Sequence, residues 1–284
     1  MYDVAVIGGG PAGLSAAVQV RQRGKTAVII SGADSDGPTW KAERIDNYLG
    51  LPEISGPELV ERFRLHARQL GTERMNGRAL NIMPSGGKFY ISVGSEMTEA
   101  LAVVLAPGVA RGAKYPGEAE HLGRGVSYCA TCDGMLYRGK QVVVVGKSAE
   151  APEEANFLQG IGCYVTYVAM KRPEALKEEI SFVKAPKVEI LGEGAVTAVK
   201  AGDTEIPCEC AFILRAAVAP TDLFPGIELR DGYVAVDRSM ATSVTGVYAA
   251  GDCTGLPLQI SKAVGEGLVA GHHACEFIDK NKSK

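Results

Sequence analysis

Two short apolar strands, each running into a glycine turn, a helix and a further apolar strand, predict an α/β protein built from two Rossmann-like domains. The first opening is Val4-Ala5-Val6-Ile7 followed by Gly8-Gly9-Gly10, and the second is Val142-Val143-Val144-Val145 followed by Gly146. Cys129-Ala130-Thr131-Cys132 lies just ahead of the second opening, and its CxxC spacing reads as redox or metal chemistry.

Taken in order, residues 4–7 form a continuous apolar run, the pattern of a strand buried on both faces. Residues 12–23 carry small and apolar side chains at helical spacing, and Gly24 ends that helix. Ala27-Val28-Ile29-Ile30 returns as a second buried strand, which completes a βαβ unit with a parallel sheet and right-handed crossover. After residues 142–145, a helix spans Pro152 to Gln159 and a strand follows from Tyr164 to Val168. Lys187 to Leu214 reads as a small meander of short β-rich runs between glycine turns. Gly246-Val247-Tyr248-Ala249-Ala250-Gly251-Asp252 is a strand ending in a glycine and an acid, and Gly265 to Ile278 reads as a closing helix.

A chain of 284 residues, 46% hydrophobic and 22% charged, fits two modest globular domains. Its net charge of −3 gives no reason to expect nucleic acid or an anionic membrane as a partner. Met1 leads straight into an apolar strand without a basic leader, and no apolar run is long enough to span a bilayer. The expected compartment is the cytoplasm, where most thiols stay reduced. Cys163, Cys253 and Cys275 stand alone among apolar neighbours and read as core residues. A zinc site would need two ligands beyond the CxxC, and Cys208-x-Cys210 has poor spacing for it, so no metal is expected. For Asp133, the plainer alternative to a proton-transfer role is a turn residue before Gly134. His272 and His273 read as satisfied residues on a helix face.

Gly8-x-Gly10-x-x-Gly13 sits between a strand and a helix, the context a dinucleotide fingerprint requires. Gly8 makes the tight turn, Gly10 admits a pyrophosphate, and Gly13 lets helix and strand pack closely. The helix start, at Pro11 and Ala12, then presents free N–H groups and a positive dipole end. The acid often found about 20 residues later, on the ribose, is missing. Asp34 is near that place, within a loop.

Four segments occur in the order seen in low-molecular-weight thioredoxin reductases: Gly8-Gly-Gly-Pro-Ala-Gly13, Ile45-Asp-Asn-Tyr-Leu-Gly50, Cys129-Ala-Thr-Cys132-Asp133, and Gly246-Val-Tyr-Ala-Ala-Gly-Asp252 with Gln259 and Gly265-Glu266-Gly267. The chain resembles that family over most of its length. The resemblance implies an FAD-binding domain from residues 1–110 and 232–284, with a shortened nucleotide-binding-like domain inserted at 111–231. Gly8, Gly10, Pro11, Ala12 and Gly13 would hold the FAD pyrophosphate, and Asn47 would approach the flavin. Asp252 would bond the phosphate or ribityl region, with Gln259 and Ile260 near the isoalloxazine. Cys132 would face the flavin, Cys129 would attack the disulfide of thioredoxin, and Asp133 would serve as acid and base. A homodimer is also implied.

The chain departs from the family's NADPH site. Its second loop reads Gly146-Lys-Ser-Ala-Glu-Ala-Pro152, where Ser148 puts a Cβ and hydroxyl at the close-approach position and Glu150 adds negative charge. Only Lys171 and Arg172 remain of the basic cluster after the next strand, and the stretch from Val168 to Val234 is short. In these respects the chain resembles a compact branch that takes electrons from reduced ferredoxin instead of NADPH. Lys147, Lys171 and Arg172 are the residues expected to meet an acidic ferredoxin. Pro38 and Ala106-Pro107-Gly108 also depart from the usual flavin half. An NADPH-dependent reductase with an altered site, an oxygen-using dithiol oxidase and a flavin-holding redox sensor stay open as rivals.

Overall fold

The N-terminal apolar run forms β1 (Tyr2–Ile7), and its last four residues are buried. The helix α1 (Pro11–Gln22) crosses to β2 (Ala27–Ser31), which pairs with β1 in parallel register from Val4↔Ala27 to Ile7↔Ile30. The helix α2 (Gly56–Gln69) starts at Ser55, whose hydroxyl accepts from the Glu58 amide, and leads to β3 (Glu73–Asn76), parallel to β2. Three antiparallel strands follow: β4 (Ala79–Ser85), β5 (Lys88–Val93) and β6 (Glu96–Leu105). Half-buried and buried residues alternate along β5, as one covered sheet face requires. β6 then returns beside β1 in parallel.

β7 (Val126–Ser127) and the single turn α3 (Ala130–Asp133) precede β8 (Gln141–Lys147), α4 (Ala151–Gly160) and β9 (Tyr164–Ala169). After β10 (Ser181–Lys184), the strands β11 (Val188–Leu191), β12 (Ala198–Ala201) and β13 (Thr204–Pro207) form a small antiparallel sheet. The expected meander is therefore three strands. Its last stretch, β14 (Cys210–Arg215), instead joins β8 in parallel. This all-parallel sheet has the order β10-β9-β8-β14-β7. An apolar strand such as Ala211-Phe-Ile-Leu214 suits its centre, because helix and small sheet cover both faces.

The chain closes with α5 (Pro220–Leu223), the short pair β15 (Leu229–Arg230) and β16 (Tyr233–Val234), β17 (Val247–Ala249) and α6 (Ile260–Lys282). β17 pairs with β6 in parallel. In this computed structural model, which describes residues 1–32, 37–109, 114–215 and 219–282, two compact units emerge. One comprises Met1–Ala110 with Ala217–Lys284, and the other is Arg111–Ala216. The second crossing thus falls near residue 217 instead of 232, because Leu223, Phe224 and Ile227 bury in the same core as Ile82, Phe89 and Val103. α6 begins five residues before the expected Gly265, since Gly265 and Gly267 lie inside it. A Cβ on Gly267 would strike the Ala12 carbonyl, so this glycine sets how closely α6 approaches α1.

Candidate functional site

The first glycine loop connects β1 to α1 with each glycine meeting a different demand. Gly8 has φ +113°, and a Cβ there would collide with the Ala106 carbonyl. A Cβ on Gly13 would collide with the Gly8 carbonyl oxygen, as expected for close helix–strand packing. At Gly10 a Cβ would meet nothing within 4 Å. No protein neighbour demands a glycine there, and the missing side chain leaves an open cradle over the start of α1. That start is capped by no side chain, holds Pro11 at its first position and has no acid in its first turn. An uncapped helix end with nearby open space suits a pyrophosphate.

The Gly251–Thr254 turn lies at the same end of the sheet, because β17, β6 and β1 all run parallel. A Cβ on Gly251 would come within 2.8 Å of the Ala12 Cβ, so Asp252 and the first turn of α1 are brought together. Two more expected residues meet directly, since Asn47 Nδ2 donates to Gln259 Oε1 over 2.8 Å. Gln259 leads into α6, whose Ala263 amide donates to the Gln259 carbonyl over 3.0 Å. Asp34 lies outside the described residues.

The second unit carries the sulfur centre. Cys129 and Cys132 form a disulfide with Cα atoms 5.4 Å apart. Cys129 caps α3, its Sγ accepting from the Cys132 amide over 3.1 Å. Cys129 is 7% exposed, whereas Cys132 is open to solvent. Asp133 follows at once, and its Oδ2 accepts from the buried Ser127 hydroxyl over 2.7 Å. Glu154 of α4 accepts from the Ala130 amide over 3.2 Å, which ties α4 to the start of the disulfide turn.

The crevice between β8 and β14, where the strand order reverses, is the place a nucleotide would occupy in such a sheet. Here β8 runs on through Gly146 and Lys147, opposite Leu214 and Arg215. Glu118 lies fully buried, and Arg215 Nη1 and Nη2 donate to its two oxygens over 2.5 and 2.8 Å. The Tyr128 hydroxyl and Tyr115 amide donate to the same carboxylate over 3.0 and 2.8 Å. Burial pushes the Glu118 carboxyl up, but the Arg215 hydrogen bonds and charge, with the Tyr115 and Tyr128 donors, hold it below the ordinary range. The Arg215 guanidinium also lies 5.1 Å from the Tyr115 ring centre, and the Lys147 ammonium 5.9 Å from it. The glycine of the second loop is kept for another reason: a Cβ on Gly146 would strike the buried Tyr167 phenol. α4 starts at Glu150 with Glu153 and Glu154 in its first turn, the opposite electrostatics to α1.

A family model described as pyridine nucleotide-disulphide oxidoreductase matches residues 2–267. The thioredoxin reductase of Treponema pallidum is 33% identical, the match covering 98% of this chain and 97% of that protein. That of Listeria innocua is 32% identical over 99% of this chain and 95% of its own length. The chain belongs to the thioredoxin reductase group of the pyridine nucleotide-disulphide oxidoreductase family. Within this family, a crystal structure of a ferredoxin-flavin thioredoxin reductase from Clostridium acetobutylicum superposes with a TM-score of 0.94. It is 39% identical, with 100% of this chain and 99% of that chain covered. A thioredoxin reductase from Gloeobacter violaceus gives a TM-score of 0.85 at 34% identity, covering 99% of this chain and 95% of that one.

As a member of this family the chain keeps the expected first loop and disulfide centre, but several supporting residues escaped the sequence reading. Lys262 Nζ donates to the Gly251 and Gly255 carbonyls, each over 2.9 Å, and pairs with Glu266 Oε2 at 3.0 Å. Glu266 in turn accepts from the Gly251 amide and the Thr254 hydroxyl. The four-residue spacing of Lys262 and Glu266 on a helix was the available signal. Ser127, Glu118 and Arg215 gave none, because their partners are distant in sequence or of ordinary type. The Arg172 guanidinium donates to the Lys177, Glu178 and Ile180 carbonyls. Lys147 and Lys171 are exposed. His272 and His273 both pair with Glu276 on α6. Among the described residues, no His, Cys, Asp and Glu group could hold a metal, and no helix is long and apolar enough to cross a membrane.

Proposed function

We propose that the chain is an FAD-dependent thioredoxin-disulfide reductase whose electrons come from reduced ferredoxin and not from NADPH. The contrast between its two helix starts carries this reading. α1 offers an open, uncapped end above Gly10, whereas α4 begins with three carboxylates beside a crevice filled by Tyr115, Glu118 and Arg215. A pyrophosphate is attracted to the first and repelled from the second. The names of the Clostridium and Treponema relatives support thioredoxin as the substrate, and the former supports ferredoxin as the donor.

Gly8, Gly10, Pro11, Ala12 and Gly13 hold the FAD pyrophosphate in this reading, with Asp252 at the ribityl side and Asn47, Gln259 and Ile260 toward the ring. When bound, FAD supplies the electron pair that opens the Cys129–Cys132 disulfide. The Cys129 thiolate then attacks one thioredoxin sulfur, forming a mixed disulfide and releasing the other sulfur as a thiolate. Asp133 delivers the proton that this leaving thiolate takes up. The Cys132 thiolate attacks Cys129 Sγ, which restores the internal disulfide and frees the second thioredoxin sulfur as a thiolate. That thiolate takes its proton from solvent, as Asp133 is reprotonated from the same source. Two electrons and two protons reach thioredoxin in each cycle. Since Cys129 is the covered sulfur in the oxidised pair, its attack requires that it be uncovered.

Steady-state assays with recombinant bacterial thioredoxin test this reading. Reduced ferredoxin should sustain thioredoxin reduction, and NADPH without ferredoxin should not. Cys129→Ser should abolish turnover, while Cys132→Ser should accumulate the mixed disulfide. Equal turnover with NADPH alone would refute the donor assignment.

A further inference from the structure

We infer that Ser127 is a positioning residue for proton transfer, a hydroxyl that keeps Asp133 hydrogen-bonded in both of its protonation states. The inference rests on the reading of Asp133 as the proton donor and acceptor. Ser127 is buried in β7, where its backbone pairs with Phe212 of β14. Its neighbour Tyr128 is fixed through Glu118, so the hydroxyl projects from a held backbone.

Three contacts converge on this one oxygen. Ser127 Oγ accepts from the Cys129 amide over 3.1 Å, lies 2.7 Å from Asp133 Oδ2, and lies 3.2 Å from the Cys129 carbonyl. A hydroxyl has one proton to give and two lone pairs with which to accept. With Asp133 ionised, the Ser127 proton points to Oδ2. With Asp133 protonated, the carboxyl O–H donates to Ser127 Oγ, and the Ser127 proton turns to the Cys129 carbonyl. No heavy atom has to move, and the buried hydroxyl keeps a partner in either state. The same oxygen accepts from the amide of Cys129, so the proton-carrying carboxyl is held to the backbone of the attacking sulfur.

Other titratable groups lie around Asp133. Tyr137 from the turn after α3 and Cys210 from β14 interact with its charge, Cys163 lies close to both, and Glu154 of α4 bonds the Ala130 amide three residues before it. The reduced Cys129 and Cys132 thiols complete the set. Ser127 is the neutral hydroxyl that donates to the Asp133 carboxylate.

The test is the pH dependence of thioredoxin reduction by the anaerobically reduced flavoprotein, for the wild type, Ser127→Ala, Ser127→Thr and Asp133→Asn. Asp133→Asn should remove one limb of the profile. Ser127→Ala should keep that limb but slow the transfer several-fold on its plateau, because the carboxyl loses its fixed partner in either state. Ser127→Thr, which retains the hydroxyl, should restore the wild-type rate. Should the alanine chain not fold, Ser127→Gly removes the same hydroxyl with less demand on space. An unchanged rate in the hydroxyl-free variant, with the limb still lost in Asp133→Asn, would overturn the role of Ser127 alone. A limb that survives Asp133→Asn would overturn both readings.

Discussion

At the scale of single residues, the seven cysteines divide sharply into chemical and structural kinds. Cys129 and Cys132 share a disulfide, while Cys163, Cys208, Cys210, Cys253 and Cys275 are free and buried. Burial pushes the thiols of Cys208 and Cys253 up to about 12 and that of Cys275 to about 11, and it raises Cys163 and Cys210 as well. A thiol so far above neutral pH is almost never a thiolate and does not react. After gentle reduction, the folded protein should therefore take up two carboxamidomethyl groups from iodoacetamide at pH 7.5, and all seven in denaturant. Mass spectrometry distinguishes these outcomes, and rapid labelling of a third cysteine in the folded state would contradict the division. CxxC spacing made the reactive pair readable in the sequence. The partner of Asp133 was not readable, because a serine six residues earlier becomes adjacent only when β7 and α3 fold.

Elements show where local pattern is sufficient and where it is not. Val4 to Ile7, Gly8 to Gly13 and the start of α1 are contiguous, so the first opening could be read with its turn, cradle and helix end. Cys210 to Leu214 could not be assigned correctly from its own residues, since a short apolar run fits a meander and a parallel strand equally well. Only the pairing with β8, more than sixty residues earlier by register, decides it. The Lys262–Glu266 pair belongs to this scale too, because it braces the start of α6 against the Gly251–Thr254 turn. Lys262→Met leaves a partly buried carboxylate and two carbonyls without their cation, at a cost of about 1–3 kcal/mol. Urea unfolding should register that loss, and FAD should dissociate faster from the variant. Unchanged stability and unchanged flavin release would show that the pair braces nothing.

For the whole molecule, the two similar openings differ in charge, with no acid in the first turn of α1 and two in that of α4. At the end of β14, Arg215 pairs with Glu118 and lies over the Tyr115 ring, and Tyr128, which also bonds Glu118, adjoins Cys129. This cluster ties the backbone ahead of the disulfide to the end of β14. Glu118→Gln should cost about 3 kcal/mol of stability near neutral pH, because it leaves a buried guanidinium without its anion. The sign of its pH dependence follows from a folded carboxyl held below the reference value of 4.5. The stabilisation is fully present above that value and fades as pH falls through the lower, folded one. The gap between wild type and Glu118→Gln should thus be constant from pH 7 to 5 and close in stronger acid. A gap that instead widened on acidification would contradict the ion pair. The sequence showed the damaged glycine loop, but the filling of the crevice depends on Glu118 and Arg215, which are brought together from opposite ends of the unit.

Anaerobic titration of the oxidised flavoprotein, followed at the visible flavin band, tests most directly the claim that this fold retains one dinucleotide socket and not two. The account predicts that reduced ferredoxin, supplied in excess of the four electrons that flavin and disulfide together accept, bleaches the band, whereas NADPH leaves it unchanged even at millimolar concentration. Rapid bleaching by micromolar NADPH would contradict it.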